Sequence, residues 1–249
     1  MGKMKIGCCL FTVDDEFAKN PFDTLYKLAD IGFEAVEIGA FTALSTGEWQ
    51  GMLRKTGLSV ADMHFGIDQQ EQWTKHIMEF ANQLGCRYIG CPVLRNCDNA
   101  DADTYHKEAE VMNRLGKIYR ENGFTMVYHN HSFEFKKFDG KYGLDILFEE
   151  TDPAYVQFEL DTYWVAHGGE NPADYIRKFA GRIDLLHCKD MAEDRFFAPV
   201  GEGTLDFKEI VKAAQETGVR TLLVEQDARR KPSFECAQSS YSCLSALVG

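Results

Sequence analysis

VQFELDTYWVAHGGENPADYIRKFAGRIDLLHCKD, residues 156–190, contains one full turn of a strand–helix–strand rhythm. Val156–Asp161 is a short apolar run that ends on an acid. Asn171-Pro172-Ala173-Asp174 then reads as a helix start, with an Asn N-cap, Pro at the first helical position and an acid in the first turn. Asp184–Lys189 is the next short apolar run. Short β-rich runs alternating with longer amphipathic ones are the pattern of βαβ units and a parallel sheet.

The same alternation extends in both directions. Strand candidates are Lys5–Phe11, Ala35–Phe41, Ser59–Gly66, Tyr88–Leu94, Thr125–His131, Val156–Asp161, Asp184–Lys189 and Thr221–Gln226. Between them lie helical segments such as Tyr105–Asn122, where Ala109, Met112, Leu115 and Tyr119 share one face. Asn20-Pro21-Phe22-Asp23 repeats the Asn-Pro start, and Asp206-Phe207-Lys208-Glu209 has the form of a capping box. Gly32, Gly57, Gly85, Gly123 and Gly218 each fall at a helix end before the next strand. Eight units and no linker predict a single-domain α/β protein over residues 1–249, a closed (β/α)8 TIM barrel. A doubly wound open sheet is the alternative, but the GxGxxG of its common phosphate site is absent; Gly201-Glu202-Gly203 is only a GxG.

Composition bounds the function. With 45% hydrophobic and 27% charged residues the chain can bury a large core, and its formal charge of −12 argues against a nucleic-acid partner. No stretch approaches the roughly 20 apolar residues of a membrane span. The start, MGKMKIGCCLF, reads as a first strand rather than a signal peptide. The eight cysteines form no CxxC and mostly lie in apolar runs, so a reduced, cytoplasmic protein is expected.

Barrel active sites form at strand C-terminal ends. There the last four predicted strands deliver YHNHSFEF (128–135), ELDTYW (159–164), HCKD (187–190) and EQD (225–227). Neighbouring strands are about 4.8 Å apart, so their side chains can converge. A mixed set of Glu134, Asp161, His187 and Glu225 suits one divalent metal, Mn2+, Mg2+, Co2+ or Zn2+. Each has a structural reading too: Asp161 as a turn cap, His187 as a core histidine, Glu134 as a solvated loop residue. Glu225 closes the apolar run Thr221–Val224, where an unpaired carboxylate is costly.

On these motifs, together with LHCKD (186–190), PVGEGTLDF (199–207) and VEQD (224–227), the whole chain resembles the xylose-isomerase-like barrel superfamily. That superfamily includes inosose dehydratases, ketose 3-epimerases, hydroxypyruvate isomerases and endonuclease IV. The resemblance implies a Glu, an Asp, a His and a second Glu as metal ligands, matching Glu134, Asp161, His187 and Glu225. Two departures stand out. His129 and His131 occupy the end of strand five ahead of Glu134, which makes His131 a rival ligand. Trp164 replaces a histidine usual in the epimerases. PVGEG and HxKD resemble the inosose-dehydratase side, and endonuclease IV's trinuclear zinc site has many more histidines.

The resemblance implies an isomerase or epimerase of carbohydrate metabolism, acting on a small carbohydrate or polyol ketone through an enediolate. A lyase, dehydrating an inosose or splitting a 3-keto-glycoside, is the alternative. A reading of another class is a non-catalytic carbohydrate-binding barrel. Glu134 and Glu225 would move protons from two sides, His131 would act as a second acid/base and Lys189 would stabilise an oxyanion. His64, Trp164, Glu202 and Phe11 are candidate substrate contacts. His167 is placed near the pocket, while His76 and His106 fall on helices. A homo-oligomer is left open.

Overall fold

Eight parallel strands close into a barrel in the computed structural model, which describes residues 4–39 and 43–249. They are β1 (Lys5–Cys9), β2 (Ala35–Ile38), β3 (Ser59–His64), β4 (Tyr88–Cys91), β5 (Thr125–His129), β6 (Val156–Asp161), β7 (Ile183–Cys188) and β8 (Thr221–Val224). Each pairs with its neighbour in sequence, and β8 closes on β1 from Lys5↔Thr221 to Cys8↔Val224. The fold is the expected TIM barrel.

Most expected strands begin where the structure begins them, but most end too late. Phe11, Gly66, Leu94, His131 and Gln226 all lie beyond their strands; Phe41 lies outside the described residues. A physical cause is visible at two of these ends. At the C-terminal mouth, side chains such as Thr12 and Asn130 take over backbone groups from the ladder. Thr12 donates to the Val224 carbonyl at 3.3 Å, and Asn130 Oδ1 accepts the Asp161 N–H at 2.9 Å.

The helix signals are realised. Asn20 accepts from the Asp23 N–H, Asn171 from Ala173 and Asp174, and Asp206 from Glu209. The helix expected at Tyr105–Asn122 spans Ala102–Glu121 and buries Ala109, Met112, Leu115 and Tyr119. Gly32 ends its helix at φ +118°, a left-handed turn that side chains rarely adopt. The other four helix-end glycines likewise have positive φ. Thr46–Thr56 starts on a Ser45–Glu48 capping box that the sequence reading passed over.

Strand alternation sorts the side chains into two layers. Phe158 of β6 points outward and stacks on Phe148 of the helix Gly143–Glu150, with ring centroids 3.6 Å apart. Its neighbours Glu159 and Asp161 take the opposite parity and point into the barrel. So do Asp62 and His64 on β3, and His187 with Lys189 on and just beyond β7. The outward layer is a conventional apolar core, whereas the upper interior is charged and buried.

Candidate active site

Six carboxylates, four imidazoles and one ammonium line the barrel mouth. On the β6–β8 side, Asp161 divides its oxygens. Oδ1 caps the short helix Thr162–His167 through the Trp164 N–H at 2.8 Å, while Oδ2 faces inward, 3.0 Å from Lys189 Nζ and 3.4 Å from His129 Nε2. The cap and the site residue are therefore the same side chain. Glu225 Oε2 lies 2.8 Å from His187 Nδ1 and 2.7 Å from Lys189 Nζ. Thr162 accepts from the Lys189 N–H at 3.0 Å and holds the end of β7 in place.

Lys189 is 1% exposed, yet its ammonium meets Asp161, Glu225 and, at 2.8 Å, Asp227. Burial alone would lower its pKa, but these three carboxylates raise it well above the usual lysine value. In return, and against burial, Lys189 with His187 holds Glu225 well below the carboxylate range, and Lys189 with His129 lowers Asp161. Trp164 and Phe197 cover the ammonium, their ring centroids 5.5 and 5.8 Å away.

Deeper in the barrel lies a layer of which only His64 was expected, as a substrate contact. Glu37, Asp62, His64 and Glu159 are all buried beneath His187. Burial, with Glu159 and Glu37 nearby, pushes the Asp62 carboxyl well above its usual range. Burial works against charge on His64 and His187, but the surrounding carboxylates raise both well above the ordinary imidazole value. One signal was present in the sequence. Glu37, Asp62 and Glu159 each interrupt an apolar strand two residues from another polar inward position or on a short buried strand, where a carboxylate needs a partner.

The structure places the remaining expected residues differently. Glu134 turns from the cluster: Tyr128 Oη donates to its Oε1 at 2.6 Å and the His131 N–H to its Oε2 at 2.9 Å. Tyr128 has outward parity and packs edge-on against Phe158, so it draws Glu134 toward the helix side of β5. His129, quoted in the sequence motif but given no role, takes the inward position instead. His131 sits above it, stacked on Phe133 at 5.5 Å and near Trp164 at 5.4 Å. Its Nδ1 and the Trp164 Nε1 are buried and have no hydrogen-bond partner, two polar atoms aimed at nothing in the protein. Burial, with His129 beside it, drops the His131 pKa to about 3.

His64 is in the deep layer. Glu202 is engaged with Lys231 at 2.5 Å and Ser239 at 2.6 Å. Phe11, 52% exposed, lines a cavity of about 530 Å³ with Leu10, Phe17, Ile38 and Pro92. That cavity reaches down to Glu37, His64 and Glu225. His167 packs against Tyr163 and Trp164; His76 is exposed on its helix, and His106 pairs with Glu150. Asp190, in the HxKD motif, accepts backbone N–H groups from Met191, Gly201, Gly203 and Leu205, which makes it the clasp of the PVGEG loop.

The donor chemistry fits a divalent cation. His129, Asp161, His187 and Glu225 each offer one ligand atom, all within 4.8 Å of one another, and all four residues are buried. Glu37, Glu159, Asp161, Glu225 and Asp227 contribute five carboxylates, while burial holds Asp62 toward its neutral form. Lys189, His64, His129 and His187 supply at most four positive charges, so the site favours an added cation.

A closed parallel barrel with an acid–imidazole cluster at the C-terminal ends of its strands has the build of a barrel enzyme. The chain belongs to the xylose isomerase-like TIM barrel family, whose sequence profile matches residues 25–244. It is 30% identical over 283 aligned positions to an inosose dehydratase of Clostridium tetani (strain Massachusetts / E88), covering 94% of each chain. A sugar phosphate isomerase/epimerase of Parabacteroides distasonis ATCC 8503 superposes with a TM-score of 0.88 at 24% identity, covering 99% of this chain and 95% of the other. A solved IolI protein with a bound zinc atom superposes with a TM-score of 0.76 at 14% identity, covering 99% of each. Among the described residues no helix is long and apolar enough to cross a membrane.

Proposed function

We propose that this protein is a divalent-metal-dependent lyase that dehydrates a small polyhydroxylated ketone, such as a keto-inositol or ketose. One observation carries the choice of elimination over epimerisation. Epimerisation needs two proton-transfer groups on opposite faces of the substrate, the roles expected for Glu225 and Glu134. Glu134 instead is bound on both oxygens by Tyr128 and the His131 N–H, leaving Glu225 beside the ammonium of Lys189, a base next to an acid. The inosose dehydratase relatives favour the same class.

His129, Asp161, His187 and Glu225 would hold the ion, which supplies Lewis-acid polarisation of a carbonyl and its neighbouring hydroxyl. Glu225 takes the proton from the carbon beside the carbonyl. The C–H electron pair forms the new C=C bond, and the β C–O bond breaks. The departing hydroxyl leaves as water with a proton from Lys189. The unpartnered His131 Nδ1 and Trp164 Nε1 bind substrate hydroxyls. A pKa of about 3 makes His131 a hydrogen-bonding group rather than a proton carrier at neutral pH. Leu10, Phe11 and Phe17 receive the apolar face of the substrate.

The test is incubation of metal-loaded protein with inososes, ketoses and 3-keto-glycosides in deuterated water, read by NMR. Loss of water with solvent deuterium at the former β-carbon, delivered as the enol product ketonises, is expected, and Glu225→Gln should abolish both. A stereoisomer retaining its water would replace the lyase with an epimerase. Binding without α-proton exchange, metal present, would point to a non-catalytic carbohydrate-binding barrel.

A further inference from the structure

His187 is the hinge between the two layers of the site. Its Nδ1 faces Glu225 Oε2 at 2.8 Å, while its Nε2 points down into the barrel, 2.5 Å from Glu37 Oε2. Glu159 Oε1 is also 3.1 Å from Nε2 but lies off the N–H direction and accepts no hydrogen bond. The single Nε2 proton therefore goes to Glu37. Glu37 is itself fixed by the Cys9 thiol, which donates to its Oε1 at 3.1 Å, and by His64 Nδ1 at 3.4 Å. His64 is anchored in turn by Glu159 Oε2 at 2.6 Å. A Cβ on Gly90 would collide with the His64 ring, so β4 leaves room for this arrangement.

We propose that Glu37 is a positioning residue: by accepting the Nε2 proton of His187 it turns the Nδ1 lone pair toward His129, Asp161 and Glu225. The proposal rests on the metal-dependent reading above. Without an ion the surrounding carboxylates favour a proton on both His187 nitrogens; an ion displaces the Nδ1 proton, and the neutral ring then has one N–H and one lone pair, of which only the lone pair can bind a cation. Without an acceptor at Nε2 the proton is free to move to Nδ1, where it blocks the ligand position, and the ring is free to tilt. A carboxylate behind a metal-binding histidine typically contributes 10–100-fold in metal affinity. Glu37, His64, Glu159 and His187 also bring ligand atoms within 4.8 Å of one another. An ion there would have to displace the protons of the contacts at 2.5 and 2.6 Å, and with the upper centre also filled His187 would need a lone pair on both nitrogens.

The test uses the full chain with Mn2+ or Zn2+, measuring stoichiometry and dissociation constant by chelator competition. NMR of 15N-labelled histidine rings reports the tautomer. Wild type should bind one ion with His187 protonated at Nε2. Glu37→Met should weaken binding 10–100-fold with mixed tautomers, and Glu37→Gln should fall between, with Tm within a few degrees. Should Glu37→Met not fold, Glu37→Gln and its ring spectrum decide the question. Unchanged affinity and tautomer in the folded variants would overturn the proposal. So would a second equivalent of metal in wild type that Glu37→Gln removes, since the deep layer would then be a metal site itself. If wild type binds no ion, the metal-dependent reading fails separately. The His187 Nε2 proton signal still decides the positioning role, supporting it if lost in Glu37→Gln and overturning it if unmoved.

Discussion

Glu134 and Glu225 are both glutamates buried near the barrel mouth, yet their surroundings drive them in opposite directions. Lys189 and His187 keep Glu225 ionised. Glu134 has no cation, and burial raises it from 4.5 to about 7 despite the hydrogen bonds from Tyr128 and His131. Because its folded pKa lies above its unfolded one, its contribution to stability is complete below about 4.5 and is lost as pH rises through about 7. Urea unfolding of wild type relative to Glu134→Gln should therefore show a difference that falls by about 1–3 kcal/mol between pH 4.5 and 8. A pH-independent difference would mean that the Glu134 carboxylate is solvated or already paired. Asp161, His187 and Glu225 were legible in the sequence because each ends an apolar run at the functional rim. Glu134 was placed by motif alone, and motif does not show that Tyr128, of outward parity, pulls it behind the strand. His129 was visible by the same parity, two residues from His131 and one from Tyr128.

Between strands, the mouth is shaped by loops whose geometry a few side chains impose. Asp190 is the clearest case: its two oxygens take four backbone N–H groups, from Met191, Gly201, Gly203 and Leu205. A Cβ on Gly203 would meet the Asp190 carboxylate, so the loop closes tightly only on glycine. The same turn presents Phe197 over Lys189. A hydrogen bond to a charged acceptor contributes about 1.5–3 kcal/mol net, and bonds sharing one acceptor do not simply add. Asp190→Ala is expected to cost about 3 kcal/mol and to leave residues 191–205 open to hydrogen exchange while the barrel strands stay protected. Uniform protection of that segment in the variant would show that another contact holds it. Strand starts and helix caps were readable because local chemistry sets them, as at Asn20, Asn171 and Asp206. Strand ends were not, since side chains from elsewhere, such as Thr12 on Val224, decide where the ladder stops.

At the scale of the whole chain, the proposed ligands come from β5, β6 and β7 and from the residue after β8, so an ion bound there would tie together residues 129–225. The barrel closes only when β8 pairs with β1, which joins Lys5–Cys8 to Thr221–Val224 across nearly the full sequence. Any opening of the barrel wall between β5 and β8 must then also release the ion, and binding energy adds to cooperative unfolding. A ligand that binds only the folded state stabilises it by about 4.1 kcal/mol at 1,000 times its dissociation constant. At about 2–4 °C per kcal/mol for a chain of this size, saturating Mn2+ or Zn2+ should raise Tm by roughly 8–16 °C over protein held in chelator. The gain should vanish in Asp161→Asn, which removes a ligand but keeps the Oδ1 cap on Trp164. Metal that raised Tm equally in wild type and Asp161→Asn would be binding elsewhere on this acidic surface, and the barrel-mouth centre would be excluded. The excess of five carboxylates over at most four cations favours the bound ion, and the stabilisation should shrink in high salt less than a surface effect would, because buried charges are poorly screened.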